Sequence, residues 1–364
     1  MHTPDTAHPA GKMPGLDSGA LASYLSSVLD DYDPADGLTV HFLAGGRSNL
    51  TCLVSQPAGS RWVLRRPPLG HITPTAHDMS REYSTLTMLA AGAFPSPRPR
   101  ALCTDPAVIG ATFMIYDFVP GLIISDPATA AGLTPQQAGT LCGEMISNMA
   151  RLHAMTPPPL GPGRSTSSTD YLSRQLARWS DQWRRSQTRE LPAFEQLRRW
   201  LTGAVGTLSA DYPVTVVHGD YRLDNLVLDP SHLHVRAVLD WEMSTLGDPV
   251  SDLAVLLAYW EEPGDNLRAR VSVARELTTA PGFWTRDQLL NHYLKVTGAP
   301  PDHLNVCLAL ACMKLAAIME GIHFRHLAGH ALDDLSSSLG DAAPALLEIG
   351  LLVADGEGLA ALAA

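Results

Sequence analysis

The sequence has few cysteines, and those present follow no disulfide or metal-binding pattern. The chain has five, an odd number, and they are scattered without CxxC spacing. A disulfide framework needs cysteines in pairs, and a structural zinc site needs closely spaced ligands, so the sequence favours neither. We therefore expect a reducing, cytoplasmic environment. Cys307 and Cys312 lie in an apolar segment, which is typical of small core residues.

Long apolar runs and excess positive charge are also missing. No run reaches the roughly 18 to 20 apolar residues that a membrane-spanning helix needs. Residues 1–16 are rich in Pro, Gly and His, which is typical of a flexible tail and not of a signal peptide. The formal net charge is -11, from 26 Lys and Arg against 37 Asp and Glu. Nucleic-acid affinity depends on basic residues that neutralise phosphates, so we expect neither a membrane nor a nucleic acid as partner.

The order of the predicted elements indicates an α+β protein with two lobes. Its 364 residues, 45% of them hydrophobic, suffice for a large core divided between lobes. Residues 17–118 predict a small lobe with an antiparallel sheet, and residues 119–364 predict a larger, mainly helical lobe with a few short strands. We expect helices at 17–31, 75–91, 170–205 and from Thr134-Pro135 onward, and strands at 38–43, 50–55, 61–65, 214–217, 226–228 and 235–239, with two more within 107–118.

One segment carries a pattern that fits phosphoryl transfer. Asp220 follows an apolar strand, in a loop where a carboxylate can orient an acceptor hydroxyl and take its proton. Asn225 lies five positions on, which is the spacing between the catalytic Asp and the metal-binding Asn of protein kinases. Asp240 ends the second strand of a predicted hairpin that folds it back toward Asn225. Carboxylate and amide oxygens suit magnesium, so this pair predicts a magnesium clamp.

The wider pattern resembles the aminoglycoside phosphotransferase and choline kinase superfamily, which has a bilobal protein-kinase-like fold. The resemblance rests on His218-Gly219-Asp220 through Asn225, Leu239-Asp240-Trp241-Glu242 and Gly247-Asp248-Pro249-Val250-Ser251-Asp252-Leu253-Ala254. It implies that Asp220 is the catalytic base and that Asn225 and Asp240 bind magnesium. It also implies ATP as the phosphate donor and a small molecule bearing a hydroxyl group as the acceptor. We interpret His218 and Asp252 as structural residues.

The first lobe contains the residues that this resemblance assigns to the nucleotide. Backbone N–H groups of the turn between the first two strands can cover phosphates. This turn consists of Gly45, Gly46, Arg47, Ser48 and Asn49. The superfamily usually has Lys on the third strand, where this chain has Arg65 and Arg66. Register assigns Arg65 to the α and β phosphates, with Arg66 as the alternative. Glu82 is the helix acid expected to fix this cation.

The connector from Phe113 to Gly121 resembles the kinase hinge. Backbone groups near Asp117 and Val119 would then hydrogen-bond the adenine. Since side chains at such a position need not be specific, the sequence leaves ATP and GTP as alternatives.

A narrower resemblance concerns the acceptor. Three segments are similar to the kinase-like domains fused to acyl-CoA dehydrogenases in animals and to their free-standing bacterial relatives: Val63 to Gly70, Tyr171 to Gln175 with Trp179, and Lys314 to Ile322. Members of that group are linked to phosphorylation of 4-hydroxyacyl-CoA. Many arginines between 170 and 199 could form a basic surface for CoA phosphates, although an ordinary charged helix face is the alternative. An aminoglycoside is a polycation and would prefer an acidic pocket.

Three functions remain open at this point. The first is an active small-molecule O-kinase, whose acceptor is an acidic or CoA-linked compound such as a hydroxyacyl-CoA. The second is an antibiotic kinase that uses the same chemistry on aminoglycosides or macrolides. The third is a catalytically silent nucleotide-binding pseudokinase, which only Arg65 favours. Asp220, Asn225 and Asp240 favour an active enzyme, because a pure binder needs no catalytic base. The sequence does not indicate an oligomeric state.

Overall fold

The chain packs as two compact units, which we call the first and the second unit. The first comprises Met1–Leu122 and Leu226–Glu242, and the second comprises Ile123–Asn225 and Met243–Ala364. The structure, a computed structural model, describes residues 16–43, 49–67, 78–157, 167–208, 212, 214–271, 276–298, 302–329 and 340–363. The expected α+β class is confirmed, with a small antiparallel sheet in one unit and mostly helices in the other. The functional lobes expected at 17–118 and 119–364 stay a prediction.

The helices and strands are numbered along the chain. The helices are α1 (Ser18–Val28), α2 (Met79–Ala91), α3 (Pro106–Ile109), α4 (Pro127–Ala131), α5 (Pro135–His153), α6 (Ser168–Ser186), α7 (Pro192–Gly206), α8 (Pro249–Tyr259), α9 (Arg286–Thr297), α10 (Leu304–Leu327) and α11 (Ala342–Leu352). The strands are β1 (Thr39–Phe42), β2 (Leu50–Ser55), β3 (Arg61–Arg66), β4 (Pro99–Cys103), β5 (Phe113–Asp117), β6 (Thr215–Val217), β7 (Leu226–Leu228), β8 (Val235–Val238) and β9 (Thr245–Gly247).

The first unit is built on a five-stranded antiparallel sheet in the order β1-β2-β3-β5-β4. Side chains alternate between the two faces of a strand. On β3 this alternation places Trp62 and Leu64 in a core cluster that also contains Leu21 and Leu25 of α1. Helix α2 packs against β4 and β5. Both long helices of this unit begin at an aspartate whose side chain accepts two backbone N–H bonds, Asp17 for α1 and Asp78 for α2.

One local prediction in the first unit is wrong, and one strand was not predicted. The segment expected to form two strands across Ile109-Gly110 contains the short helix α3 and only one strand, β5. Asp105 caps α3 through its side chain, and Gly110 ends the helix with a φ of 81°. The second strand of this part is β4, which begins at Pro99. It was missed because prolines are frequent around it, and proline is tolerated at the first residue of an edge strand.

The segment 226–242 contributes a hairpin to the first unit. Strands β7 and β8 are antiparallel, with Leu226 opposite Val238, so the predicted hairpin is confirmed. Leu122 and Leu228 exchange two backbone hydrogen bonds, at 2.9 and 2.8 Å, which attach the hairpin to the connector after β5. Gly121 is required at this crossing, because a Cβ there would lie 2.5 Å from the Leu228 carbonyl oxygen.

The second unit is organised around α10, which packs against α6, α7, α8 and α11. Strand β6 pairs with β9, which was missed because its three residues, Thr-Leu-Gly, include only one large apolar side chain. The single helix expected at 170–205 is two helices, α6 and α7. Pro192 is the first residue of α7, where a proline is tolerated, whereas inside a continuous helix it would break the hydrogen-bond ladder.

Helix α10 corrects the expectation about apolar runs. It has 24 residues, and an 18-residue window within it has a mean hydropathy of 1.6, enough by length and composition for a membrane span. Yet 83% of that window is buried inside the structure. Two charged side chains of this helix, Lys314 and Glu320, are also buried. Among the described residues, this helix therefore has the character of a core helix. All five cysteines are free and buried, and the burial of Cys307 and Cys312 agrees with their expected place in the core.

The start of α5 provides a test of the local sequence signals. The Thr134 side chain accepts the Gln137 N–H at 3.3 Å, and the Gln137 side chain accepts the Thr134 N–H at 2.9 Å. This is a reciprocal capping box. We expect Thr134→Ala to lower the free energy of unfolding by about 1 kcal/mol, measured by urea denaturation. Thr140→Ala, an exposed site in the same helix, is the control and should have little effect. Equal losses for both variants would contradict the capping role.

Candidate active site

Arg65 on β3 is a buried cation paired with an acid on α2. Its Nη1 lies 2.9 Å from Glu82 Oε1, and its side chain is only 9% exposed. Arg65 and Arg66 point to opposite faces of the strand. The pairing with Glu82 therefore favours Arg65, the residue assigned by register, over Arg66. Its role at the phosphates stays a prediction.

Two further acids of the first unit surround the same guanidinium group. Arg65 Nη2 lies 2.7 Å from Asp240 Oδ1 and 2.9 Å from Glu242 Oε2. Asn49 donates its Nδ2 to the same oxygen of Glu242 at 2.8 Å. The structure thus brings together Asn49, Glu82 and Asp240, which the sequence analysis selected, with Glu242, to which it assigned no role. The position of Glu242, two residues after Asp240, was the signal that could have found it.

The balance of charge around Arg65 shifts the pKa values of its partners. Burial, together with Asp240 and Glu242, raises the pKa of Glu82 to about 7, although Arg65 opposes this rise. Burial alone would lower the pKa of Arg65, but Glu82, Asp240, Tyr116 and Glu242 raise it on balance. Arg65 therefore remains charged, and Glu82 titrates near neutral pH.

Asp240 has an unusual backbone conformation. Its φ is 65°, in the left-handed region that non-glycine residues rarely adopt. Such conformations cost about 1 to 3 kcal/mol and cluster at functional sites. The Asp240 backbone thus carries a cost in stability, as is typical of a residue at a functional site.

In the second unit, the loop that carries Asp220 is held by a buried carboxylate on α8. Asp252 Oδ2 accepts the His218 N–H at 2.7 Å, and Asp252 Oδ1 accepts the Gly219 N–H at 2.7 Å. His153 Nε2 lies 3.3 Å from Asp252 Oδ2. Burial would raise the pKa of Asp252, but the hydrogen bond and charge of His153, with His218, hold it below its ordinary value. Asp252 therefore stays ionised and braces the loop, as the sequence analysis expected for a structural acid.

The peptide group between Gly219 and Asp220 is held on both sides. The Asp220 N–H donates to His218 Nδ1 at 3.1 Å, and Lys314 Nζ of α10 donates to the Gly219 carbonyl oxygen. Gly219 has a φ of 82°, and a Cβ there would lie 2.8 Å from the Met243 carbonyl oxygen. Only glycine fits this position without strain. The direction of the Asp220 side chain is thus fixed by the backbone that precedes it.

Asp220 and Asn225 face each other within this loop. Asn225 Nδ2 lies 2.9 Å from the Asp220 carbonyl oxygen and 3.4 Å from Asp220 Oδ2. Arg222 Nε lies 3.7 Å from Asp220 Oδ2, and Arg222 Nη2 lies 2.7 Å from Asp224 Oδ2. The Asp220 side chain is 19% exposed. The structure thus brings two predicted site residues together, and Asp224 braces Arg222.

The available oxygen atoms suit a hard divalent cation. Asp240 and Glu242 offer carboxylate oxygens in the first unit. In the second unit Asn225 donates its amide nitrogen to the loop, so its amide oxygen is the atom with which it can ligate a cation. Magnesium prefers carboxylate and amide oxygens, and each unit by itself therefore offers ligand types that fit it. The magnesium roles of Asn225 and Asp240 stay predictions.

Other predicted nucleotide contacts are only partly described. Gly45, Gly46 and Ser48 lie outside the described residues. The Asp117 N–H donates to the Arg98 carbonyl oxygen at 2.9 Å, so this N–H is already bonded to the residue that precedes β4. Val119 lies in the connector and is half-buried. An adenine contact near Asp117 and Val119 stays a prediction.

Three of the six arginines of α6 and α7 pair with a nearby acid of the same helix. Arg184 and Arg185 pair with Asp181, and Arg198 pairs with Glu195. These exposed pairs are typical of an ordinary helix surface and weaken the interpretation as a single phosphate-binding face.

A second group of potential metal ligands is structural. Asp248, His303 and Cys307 are buried, with ligand atoms within 4.8 Å of one another, and they are the one such group found among the described residues. Asp248 Oδ2 already accepts from His303 Nε2 at 2.7 Å and from Ser168, and its Oδ1 accepts the Val250 N–H at 2.8 Å. Burial raises the pKa of the Cys307 thiol, which opposes the thiolate that a metal needs.

Comparison with known proteins identifies the fold and the family. A structure of a candidate aminoglycoside phosphotransferase from Ralstonia eutropha is 30% identical, with a TM-score of 0.75 over 93% of this chain and 98% of that one. A microcompartment-associated aminopropanol kinase is 18% identical, with a TM-score of 0.61 over 94% of this chain and 99% of that one. The latter similarity shows the fold alone. The first unit, the loop and these neighbours define a protein-kinase-like phosphotransferase fold.

The sequence profile described as the phosphotransferase enzyme family matches residues 39–288. The chain therefore belongs to that family. It is also 32% identical over 359 residues to mouse (Mus musculus) acyl-CoA dehydrogenase family member 10, covering 98% of this chain and 33% of that protein. The chain spans only 33% to 43% of the length of the curated relatives that head the comparison.

The cluster around Arg65 predicts a large stability effect. Arg65→Met would leave three acids near one another without their shared cation. We expect the free energy of unfolding to fall by about 3 to 5 kcal/mol, measured by chemical denaturation. Arg61→Met is the matched control on the same strand, because Arg61 is exposed and its guanidinium group stacks on Phe118. Similar losses for the two variants would contradict the central position of Arg65.

Glu82 predicts a pH dependence of stability. Its pKa of about 7 in the folded chain lies above the ordinary 4.5. Between these pH values the folded state binds more protons than the unfolded state, so stability is lost as pH rises through this window. We expect wild type to lose up to about 3 kcal/mol relative to Glu82→Gln from pH 4.5 to pH 7, measured by denaturation. Glu195→Gln, an exposed site, should track the wild type; parallel curves for wild type and Glu82→Gln would refute the raised pKa.

Proposed function

We propose that this protein transfers the γ-phosphate of ATP to a hydroxyl group of a small molecule. The observation that carries the proposal is the Asp220 loop, in which a braced backbone presents a partly exposed carboxylate beside Asn225. In this proposal Asp220 orients the acceptor hydroxyl and takes its proton. Arg65, fixed by Glu82, neutralises charge on the nucleotide phosphates, and Asn225 and Asp240 are the magnesium ligands. Magnesium, when bound, would neutralise charge on the phosphate oxygens.

For the acceptor, we propose a hydroxyacyl-CoA or a similar anionic hydroxy compound. Support comes from the relatives that carry the name acyl-CoA dehydrogenase, of whose length this chain spans only part. Further support comes from the positive charges near Asp220. Arg222 lies beside the Asp220 carboxylate, and Arg178 and Arg222 both influence the pKa of Lys314, as Asp220 does. These arginines attract an anion and repel a polycation, while Asp220, Asp224 and Asp252 balance part of their charge.

An antibiotic kinase is the second candidate, since the solved relative at 30% identity is described as a candidate aminoglycoside phosphotransferase. The cations beside Asp220 disfavour it for aminoglycosides but not for neutral hydroxyl compounds. A catalytically silent pseudokinase is the third candidate. The feature that favoured it was Arg65, because the superfamily usually has Lys at this position. Yet Arg65 forms an ion pair with Glu82, the helix acid that is expected to fix this cation.

Consumption of magnesium-ATP with a panel of acceptors tests the reaction directly. The panel contains hydroxyacyl-CoAs, aminoglycosides, macrolides, choline and sugars. We expect turnover with a hydroxyacyl-CoA and a loss of about 100- to 10,000-fold in kcat for Asp220→Asn, because the acceptor proton loses its base.

Asp224→Asn is the matched control, since it removes the same charge from the same loop. It should stay within a few-fold of wild type. Turnover of an antibiotic alone would replace the acceptor proposal by the second candidate. Nucleotide binding without turnover of any acceptor, or equal turnover by Asp220→Asn and wild type, would overturn the enzyme proposal.

A further inference from the structure

Lys314 is a buried charge that the proposed reaction does not yet use. It lies in the middle of α10, and only 6% of the residue is exposed. Its neighbours along the helix are apolar, and a methionine would fill similar space without the cost of burying an ammonium group. A buried lysine at such a position therefore needs a specific partner.

The partners of Lys314 belong to the loop that carries Asp220. Its Nζ donates to the Gly219 carbonyl oxygen and lies 5.6 Å from the centre of the Trp179 ring. The Gly219 carbonyl belongs to the same peptide group as the Asp220 N–H, which donates to His218 Nδ1 at 3.1 Å. Fixing both ends of one peptide group fixes the direction in which the Asp220 side chain leaves the backbone.

The charged groups that act on Lys314 come from three elements. They are Arg178 on α6, Asp252 on α8, and Asp220 and Arg222 in the loop. Burial lowers the pKa of Lys314 to about 8, although Asp220 and Asp252 oppose this shift. The two carboxylates attract the ammonium group, and the two guanidinium groups repel it.

We propose that Lys314 is a positioning residue for phosphoryl transfer, whose ammonium group holds the Gly219 carbonyl so that Asp220 meets the acceptor hydroxyl. This inference rests on the proposed function. A neutral amine still donates to a carbonyl, but it loses its attraction to the Asp220 carboxylate, so the positioning weakens when Lys314 loses its proton.

The pH profile of kcat/KM tests this role. We expect the wild-type value to fall as pH rises through about 8. Lys314→Met should lower kcat/KM by about 10- to 100-fold below pH 8, because small displacements of a catalytic group are costly, and it should lack that alkaline limb. Lys314→Arg, which keeps its charge, should recover part of the activity and move the limb to higher pH.

Two further measurements separate positioning from a general loss of structure. Lys295→Met, at an exposed lysine on α9, is the matched control and should keep the wild-type profile. The melting temperature of wild type should rise relative to Lys314→Met between pH 8 and pH 10, because the unfolded chain binds the Lys314 proton more tightly than the folded one. Affinity for a non-hydrolysable ATP analogue should be unchanged in Lys314→Met.

If the wild type transfers phosphate to an acceptor, a Lys314→Met variant with wild-type kcat/KM and an unchanged alkaline limb would overturn the inference and leave the proposed function standing. If the wild type transfers phosphate to no acceptor, the proposed function fails, and the positioning role of Lys314 is then tested separately. In that case amide hydrogen exchange at Asp220 decides: faster exchange in Lys314→Met than in Lys295→Met supports positioning, and equal exchange refutes it.

Discussion

The Asp252 carboxylate is the interaction on which the candidate site depends. One buried group accepts two successive N–H groups, from His218 and Gly219, and it receives His153 from α5. Hydrogen bonds to a charged acceptor are stronger than neutral ones, so this brace resists displacement of the loop. Asp252 is placed by α8, which itself begins at the capping residue Asp248.

The first unit handles charge in a different way. There a single cation, Arg65, is shared by three carboxylates, and one of them has its pKa raised into the neutral range. Breaking a buried ion pair costs more than the pair contributes, so the cluster is stable only while Arg65 is present. The planar guanidinium group can contact several carboxylates at once, which a lysine ammonium group does less well. An arginine at a position where the superfamily usually has lysine thus suits this cluster, in which Glu242 adds a carboxylate beside Asp240.

Much of the fold could be predicted because local signals are strong in this chain. The strands β2 and β7, the cap at Thr134 and the β7–β8 hairpin follow from alternation, capping and turn residues. Strands β4 and β9 and the break at Pro192 were missed, since short strands and proline positions depend on tertiary packing more than on local propensity.

The residues of the candidate site also differ in whether local sequence signals could identify them. Five candidate residues could be selected from the sequence because their spacing matches a known pattern: Arg65, Glu82, Asp220, Asn225 and Asp240. Lys314 lies 94 positions after Asp220 in the sequence, within an apolar helix, and no local pattern connects the two. A lone lysine inside an apolar segment was the available signal. Its partner is a backbone carbonyl, which no sequence pattern can identify.

The most direct test of the account is amide hydrogen exchange at His218 and Gly219 in wild type and in Asp252→Asn. An asparagine side chain has one acceptor oxygen, so it can accept only one of these two backbone N–H groups as the carboxylate does. Its NH2 group is a donor and would face the other backbone N–H group. Both amides should be protected in wild type and exchange much faster in the variant, while the helices around them stay protected. Equal protection of these two amides in both proteins would contradict the claim that Asp252 holds the loop of Asp220.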